Sequence, residues 1–160
     1  MPTVHMLIGV LGVGKSTWTK NFLEGLTFDG KNTYVIVSSD NIIQKYADDN
    51  GITYTEALKT MGSDAMKQMM REAKAAIKEK KNIIWDQTNL TCNSRKQKLN
   101  LFTSDYEKIA VIFKTPDHEE HQRRLNRPGK FIPEKLLEGM KKSYQAPVKW
   151  EGFHRQIVVQ

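Results

Sequence analysis

Residues 9 to 16 read Gly9-Val10-Leu11-Gly12-Val13-Gly14-Lys15-Ser16, the full G-x-x-x-x-G-K-[ST] pattern of a phosphate-binding loop. The pattern directly follows the apolar run Val4 to Ile8 and precedes Thr17 to Leu26, in which Trp18, Phe22 and Leu26 recur at a helical spacing of four. Strand, loop and helix in that order are the context the pattern requires. Glycines at 9, 12 and 14 let the backbone curl so that its N–H groups, that of Val13 among them, converge on phosphates. Lys15 brings positive charge to the β and γ phosphates, and the Ser16 hydroxyl suits Mg²⁺. Thr17 falls in the first turn of the helix, whose dipole favours an anion. The reading is a site for ATP or GTP with Mg²⁺.

Outward from the loop the alternation repeats. Gly30 and Lys31 punctuate the chain before a β-branched strand, Thr33 to Val37, which ends at Ser38-Ser39-Asp40. Asp40 to Ala47 reads as a helix with Ile42, Ile43 and Tyr46 on one side, and Asp48-Asp49-Asn50-Gly51 as a turn. From about Tyr54 to Lys80 the pattern is helical, with Met66, Met69, Met70, Ala73, Ala76 and Ile77 forming an apolar stripe. Its methionines read as adaptable core filler rather than as a ligand box. Asn82 opens a third strand, Ile83-Ile84-Trp85, that ends in Asp86-Gln87-Thr88-Asn89. There follow a basic helix from Ser94 to Phe102, a strand from Ile109 to Phe113, and a charged helix from Asp117 to Asn126. The loop Arg127-Pro128-Gly129-Lys130, a helix from Glu134 to Tyr144 started by Pro133, and an edge strand from Gln156 to Val159 complete the order. This predicts an α/β fold of three layers, with a central, mostly parallel sheet between helices and chemistry at the carboxyl ends of its strands.

At 160 residues the chain reads as one domain, residues 1 to 160, with one catalytic task. It has no long apolar stretch and no basic-then-apolar leader, so a soluble, cytoplasmic protein without membrane contact is expected. Cys92 is the single cysteine, which excludes an internal disulfide, argues against a structural zinc site and is expected on a loop. A net charge of +7 and a pI near 9.4 suit an anionic partner. Basic residues gather in Lys67 to Lys98 and Arg123 to Lys149, which fits a nucleic acid as well as a solvated helix face.

Three clusters fall at predicted strand ends: the phosphate loop, Ser39-Asp40, and Asp86-Gln87-Thr88-Asn89. Transfer of a γ-phosphoryl group needs a charge clamp, a metal, and a group that orients the attacking oxygen. Asp40, expected one strand over from the loop, suits the last role as general base, with a helix N-cap as its structural alternative. Asp86 suits a Mg²⁺-associated carboxylate, while bracing of its loop by Asp86 and Asn89 is the alternative. Asp86, Thr88, Asn89 and Arg95 are the candidate acceptor contacts, Arg95 from a basic helix face that could reach a phosphodiester. Arg123 and Arg127, four apart before a Pro-Gly loop, could serve as lid arginines over residues 117 to 133, against ordinary pairing of Arg123 with Glu119 and Glu120. His118 and His121 read as surface residues.

Taken together, Gly9 to Trp18, Ser39-Asp40, Asp86-Gln87-Thr88-Asn89-Leu90 with Arg95, and Arg123-x-x-x-Arg127-x-Gly129-Lys130-x-x-Pro133 resemble the kinase domain of the phage and animal polynucleotide 5′-hydroxyl kinases. The resemblance spans nearly the whole chain. It implies a P-loop kinase fold with a helical lid, and ATP- and Mg²⁺-dependent phosphorylation of 5′-hydroxyl ends of DNA or RNA. It further implies that Lys15 and Ser16 handle phosphates and metal, that Asp40 is the base, that Arg127 is the lid arginine, and that Arg123 is a second phosphate contact. There are departures. The phage enzymes carry an arginine three residues after the base, where this chain has Ile43, and no D-x-D-x-T phosphatase motif is present. A kinase of this type would therefore stand alone or work beside separate ligase or phosphatase enzymes, and would be at home in a phage-infected cell. The Asp-Gln-Thr-Asn string also resembles the kinase-like segment of heterogeneous nuclear ribonucleoprotein U, which implies an alternative, a nucleotide- and RNA-binding module without catalysis. A small-molecule P-loop kinase acting on a nucleoside, nucleotide or sugar is the third expectation. An open basic groove would favour a polymer and a closed pocket a small molecule.

Overall fold

The computed structural model describes residues 1–126 and 132–160. Among these residues five strands, β1 (Thr3–Ile8), β2 (Tyr34–Val37), β3 (Asn82–Trp85), β4 (Glu107–Phe113) and β5 (Arg155–Val159), form one sheet in the order β2-β3-β1-β4-β5. Every pairing is parallel, so the sheet is parallel throughout. Parallel neighbours need crossovers, and the helices that supply them cover both faces. The strand side chains alternate accordingly. Val4, Ile83 and Trp85 pack against Met69, Ala73 and Ile77 of α4 (Tyr54–Lys78), whereas Leu7, Ile84 and Val111 face Trp18 and Phe22 of α1 (Lys15–Glu24).

Helix boundaries follow capping chemistry more than periodicity. Residues 30 and 31, expected to punctuate a loop, lie inside a short helix α2 (Phe28–Asn32), because Thr27 Oγ1 accepts from Gly30 N at 3.1 Å. The expected turn at 48–51 is the last turn of α3 (Ser39–Asn50), which runs on until Gly51 takes a φ of 64°. α5 (Cys92–Leu99) begins two residues earlier than its periodicity suggests, since Thr91 accepts from Ser94 N, and Cys92 is therefore its first residue rather than a loop thiol. α6 (His118–Leu125) and α7 (Glu134–Ser143) complete the helical layers. No helix among the described residues is long and apolar enough to cross a membrane.

Arg95 corrects its expected role. Its side chain is fully buried, so it cannot meet a phosphodiester from a solvated face. Its Nε and Nη2 donate to both carboxylate oxygens of Glu151, at 2.7 and 3.1 Å, and Nη1 donates to Asn89 O at 2.9 Å. Glu151 also accepts from Val148 N at 2.8 Å. The helix is thereby locked to the 3-10 turn Lys149–Glu151 that leads into β5. Desolvation pushes the Glu151 carboxyl up, but the hydrogen bonds from Arg95 and Val148 outweigh it and hold it below its ordinary 4.5.

Two outcomes are expected of this clamp. Glu151→Gln leaves a guanidinium buried without its counter-ion, and urea denaturation should show a loss of about 3–5 kcal/mol. Because the folded pKa is depressed, the clamp's contribution is complete above the unfolded value of about 4.5 and is lost as pH falls through the folded value. Acid titration of stability should therefore be shallower in Glu151→Gln than in the parent.

Candidate active site

The phosphate loop joins β1 to α1. Gly12 and Gly14 hold φ of 75° and 97°, a left-handed region that side chains rarely enter. Lys15 Nζ donates to the carbonyls of Gly9 and Val10 at 2.8 and 2.9 Å, which sets the ammonium across the mouth of the loop. Gly9 departs from its expected phosphate contact. Its N–H donates to Thr88 O at 3.0 Å, and a Cβ there would lie 3.0 Å from Phe113 Cβ and Val13 Cγ2, so it serves close packing between strands.

Helix α6 roofs the loop, through residues that the sequence reading missed. His121, expected at the surface, is fully buried, and its Nε2 donates to Leu11 O at 2.6 Å. Leu125 sits so close that a Cβ on Gly12 would meet its Cδ2 at 2.8 Å. Arg123 pairs with Glu120, as its structural alternative held, and its side chain is 77% exposed. The α6 arginine beside the loop is Arg124, whose Nη1 lies 3.9 Å from where a Gly14 Cβ would be and whose Nε donates to Glu120 at 2.8 Å. Arg127 lies outside the described residues, as does part of the expected lid.

Two cavities meet at this loop. The smaller, about 110 Å³, is lined by the loop from Leu11 to Thr17. A larger one, about 910 Å³, opens beyond it between α3, α4, α5 and α7. Leu11, Lys15, Asp40, Asp86 and Ile132 line both, so Asp40 and Asp86 stand at their junction. The sheet order corrects one expectation: β3 lies between β1 and β2, which puts Asp86 one strand from the loop and Asp40 two strands away.

Asp40 is not the helix cap. Ser38 caps α3 by accepting from Asn41 N at 3.2 Å, leaving Asp40 in the first turn to face the cavities. The Tyr54 hydroxyl, from α4, donates to Asp40 Oδ1 and orients the carboxylate. Burial first, and then this bond, raise the Tyr54 pKa far above its ordinary 10, so the phenol stays a donor. No local pattern marks Tyr54 in the sequence, since the contact spans 14 residues and two helices.

Asn89 and Thr88 divide the roles expected of them. Thr88 lines the larger cavity. Asn89, with a φ of 48°, is buried and braces the loop: Nδ2 donates to Leu7 O at 2.7 Å and Oδ1 accepts from Lys98 Nζ at 2.5 Å. Asn89 thus takes the structural alternative. Lys98, within the stretch expected as a basic helix, also lines the larger cavity, and burial lowers its pKa to about 8. The methionine stripe is likewise mixed, for Met69 is core while Met66 and Met70 wall the cavity with it.

The residues at the smaller cavity fit Mg²⁺ bound chiefly through phosphate oxygens and water. Ser16 and Asp86 both line it and offer hard oxygen donors, and no cluster of three His, Cys, Asp or Glu suited to a metal occurs among the described residues. A nucleotide-phosphate loop, a hydroxyl and a carboxylate at one rim are the furniture of a P-loop enzyme. Residues 4–147 match the model of a family described as an AAA domain, AAA_33. The chain belongs to that family. As a member of AAA_33 it carries the family's nucleotide-binding P-loop at residues 9–16.

Among relatives, mouse heterogeneous nuclear ribonucleoprotein U-like protein 2 is 23% identical over 154 residues, 91% of this chain. The chain spans only 20% of that protein's length. A crystal structure from Chloroflexus aurantiacus described as a kinase superposes with a TM-score of 0.69 at 16% identity, covering 99% of this chain and 84% of that one. A fungal RNA kinase superposes with a TM-score of 0.51 at 15% identity, over 99% and 74%. These structures share the P-loop kinase fold with this AAA_33 domain.

Gly12→Ala tests the closed loop. An alanine there must hold a left-handed φ and press into Leu125, so binding of a fluorescent ATP analogue should weaken by roughly tenfold or more. Far-ultraviolet circular dichroism should stay that of the parent.

Proposed function

We propose that this protein transfers the γ-phosphoryl group of ATP to a hydroxyl, and that the acceptor is the 5′-hydroxyl end of a nucleic acid strand. The observation that carries the reading is the place of Asp40, on the wall shared by the phosphate cavity and the larger cavity. A hydroxyl entering from the larger cavity would face ATP phosphates in the smaller one, with a carboxylate between them to take its proton. As the acceptor oxygen attacks, the bond from γ-phosphorus to the bridging oxygen breaks and ADP leaves. Tyr54 orients the Asp40 carboxylate, and Lys15 offsets negative charge on the transferring group. Mg²⁺, when held through Ser16 and by Asp86, would neutralise charge on the β and γ phosphates.

Nucleic acid as acceptor is supported by the net charge of +7 and by an apolar cavity wall suited to a base. Similarity to a ribonucleoprotein relative and to the fold of an RNA kinase is in keeping with it. Ile43, which stands where the phage enzymes have an arginine, is buried against Ala47, Ala57 and Ala65. It packs α3 on α4, so strand binding would need other residues. A second reading is favoured by the cavity itself. A recess of about 910 Å³ is the size of a small-molecule site, so a free nucleoside is the competing acceptor.

Label transfer from [γ-³²P]ATP with Mg²⁺, offered to a 5′-hydroxyl oligonucleotide and to free nucleosides, tests both readings. Labelled oligonucleotide is expected. Label on nucleosides alone would replace the acceptor, and ATP binding without any transfer would overturn the kinase reading. Asp40→Asn should lower kcat by roughly 10² to 10⁴ while ATP affinity stays within about threefold. Lys15→Ala should weaken ATP use through both KM and kcat, because its charge holds the bound phosphates and acts more strongly still on the charge that develops in the transition state.

A further inference from the structure

Lys98 lines the larger cavity and has no anionic partner among the described residues. α5 presents Ser94, Gln97 and Lys98 to that cavity, three residues that share one helical face. The opposing wall is apolar, built from Leu58, Met66 and Met70 of α4 and Leu136 and Met140 of α7. The recess therefore has a greasy side and a polar side, with a cation on the latter.

The partners of Lys98 are neutral. Its Nζ donates to the Asn89 carboxamide at 2.5 Å and lies 5.6 Å from the centre of the Trp85 ring. It forms no ion pair with a carboxylate among the described residues. An ammonium has three donors, and a half-buried one without a counter-ion is costly to keep. Bracing Asn89 does not require a charge, since a neutral amide donor would serve. Asn89 is itself held by Leu7 O at 2.7 Å, so its Oδ1, and with it the ammonium, is fixed before any ligand arrives.

We propose that Lys98 is the anion-recognition residue of the acceptor cavity, and that the acceptor carries a phosphate group besides the hydroxyl that is phosphorylated. This rests on the reading of the larger cavity as the acceptor's. Asp40 takes the hydroxyl end, the methionine wall takes a flat apolar body such as a nucleobase, and Lys98 pairs with the existing phosphate. That phosphate is either a phosphodiester within a strand or the monoester of a mononucleotide.

Equilibrium binding separates these ideas from catalysis. With the phosphate loop saturated by ADP and Mg²⁺, calorimetric titrations would compare uridine, uridine 3′-monophosphate and the dinucleotide UpU on the parent protein, Lys98→Met, Lys98→Gln and Lys98→Arg. The parent should bind at least one phosphate-bearing ligand roughly 10- to 100-fold more tightly than uridine, the usual range for a charge-assisted bond in a sheltered site. That ratio should collapse toward one in Lys98→Met and Lys98→Gln and largely survive in Lys98→Arg. Preference for UpU would assign the phosphodiester, and preference for the monophosphate alone the mononucleotide. A parent without preference, or a preference unchanged in Lys98→Met and Lys98→Gln, overturns the proposal, and a purely structural lysine would alter all three ligands equally. Label transfer measured alongside keeps the two readings apart. A Lys98-dependent preference without transfer would sink the kinase and keep the anion site, and transfer without that preference would do the reverse.

Discussion

The buried carboxamide of Asn89 joins the functional parts of this molecule. It ties the loop after β3 to the end of β1 through Leu7 O, receives the Lys98 ammonium, and through its own carbonyl anchors the Arg95 guanidinium. One residue earlier, Thr88 O accepts from Gly9 N, the first residue of the phosphate loop. A residue at φ 48° among so many partners is over-determined by its surroundings, which is how strained backbone persists in a folded protein. Asparagine suits the position because its side chain tolerates the left-handed region and can both donate and accept.

From that joint the two cavities follow. The sheet order puts β3 between β1 and β2, so the loop after β3 is the partition between the phosphate side and the side where Asp40 lies. Asp40 reaches the boundary from α3 and is steadied by Tyr54 of α4, while α6 closes the phosphate side through His121 and Leu125. Each wall thus comes from a different crossover helix. The parallel sheet is what allows this, since all of its strands release their chains at the same rim.

Much of this was legible in the sequence where the signal is local. The phosphate loop, the five strands, the parallel sheet and the acids at strand ends all declare themselves within a few residues of one another. Strand order is not local, which is why Asp40 was expected beside the loop rather than beyond β3. Burial of long charged or polar side chains is equally hidden. Arg95 and Lys98 belong to a helix that reads as a basic surface, and only its packing shows that one is locked to Glu151 and the other opens on a cavity. His121 reads as one of two exposed histidines for the same reason, since its partner Leu11 is 110 positions away. Tyr54 carried no signal, and the capping threonines Thr27 and Thr91 moved helix starts that periodicity alone misplaces.

The Arg95–Glu151 clamp also bears on the order in which the chain can become competent during synthesis. The phosphate loop, its bond to Thr88 and its roof from α6 involve residues 9 to 125, which leave the ribosome before Glu151. The wall that carries Lys98 gains the counter-ion of its buried arginine from a residue 56 positions beyond Arg95, just before β5. A nascent chain could thus complete its phosphate loop while α5 still lacked its anchor, its buried guanidinium waiting for a counter-ion. Grip on nucleotide would come before a finished acceptor site, and the last turn before β5 would act as the latch that separates the two stages.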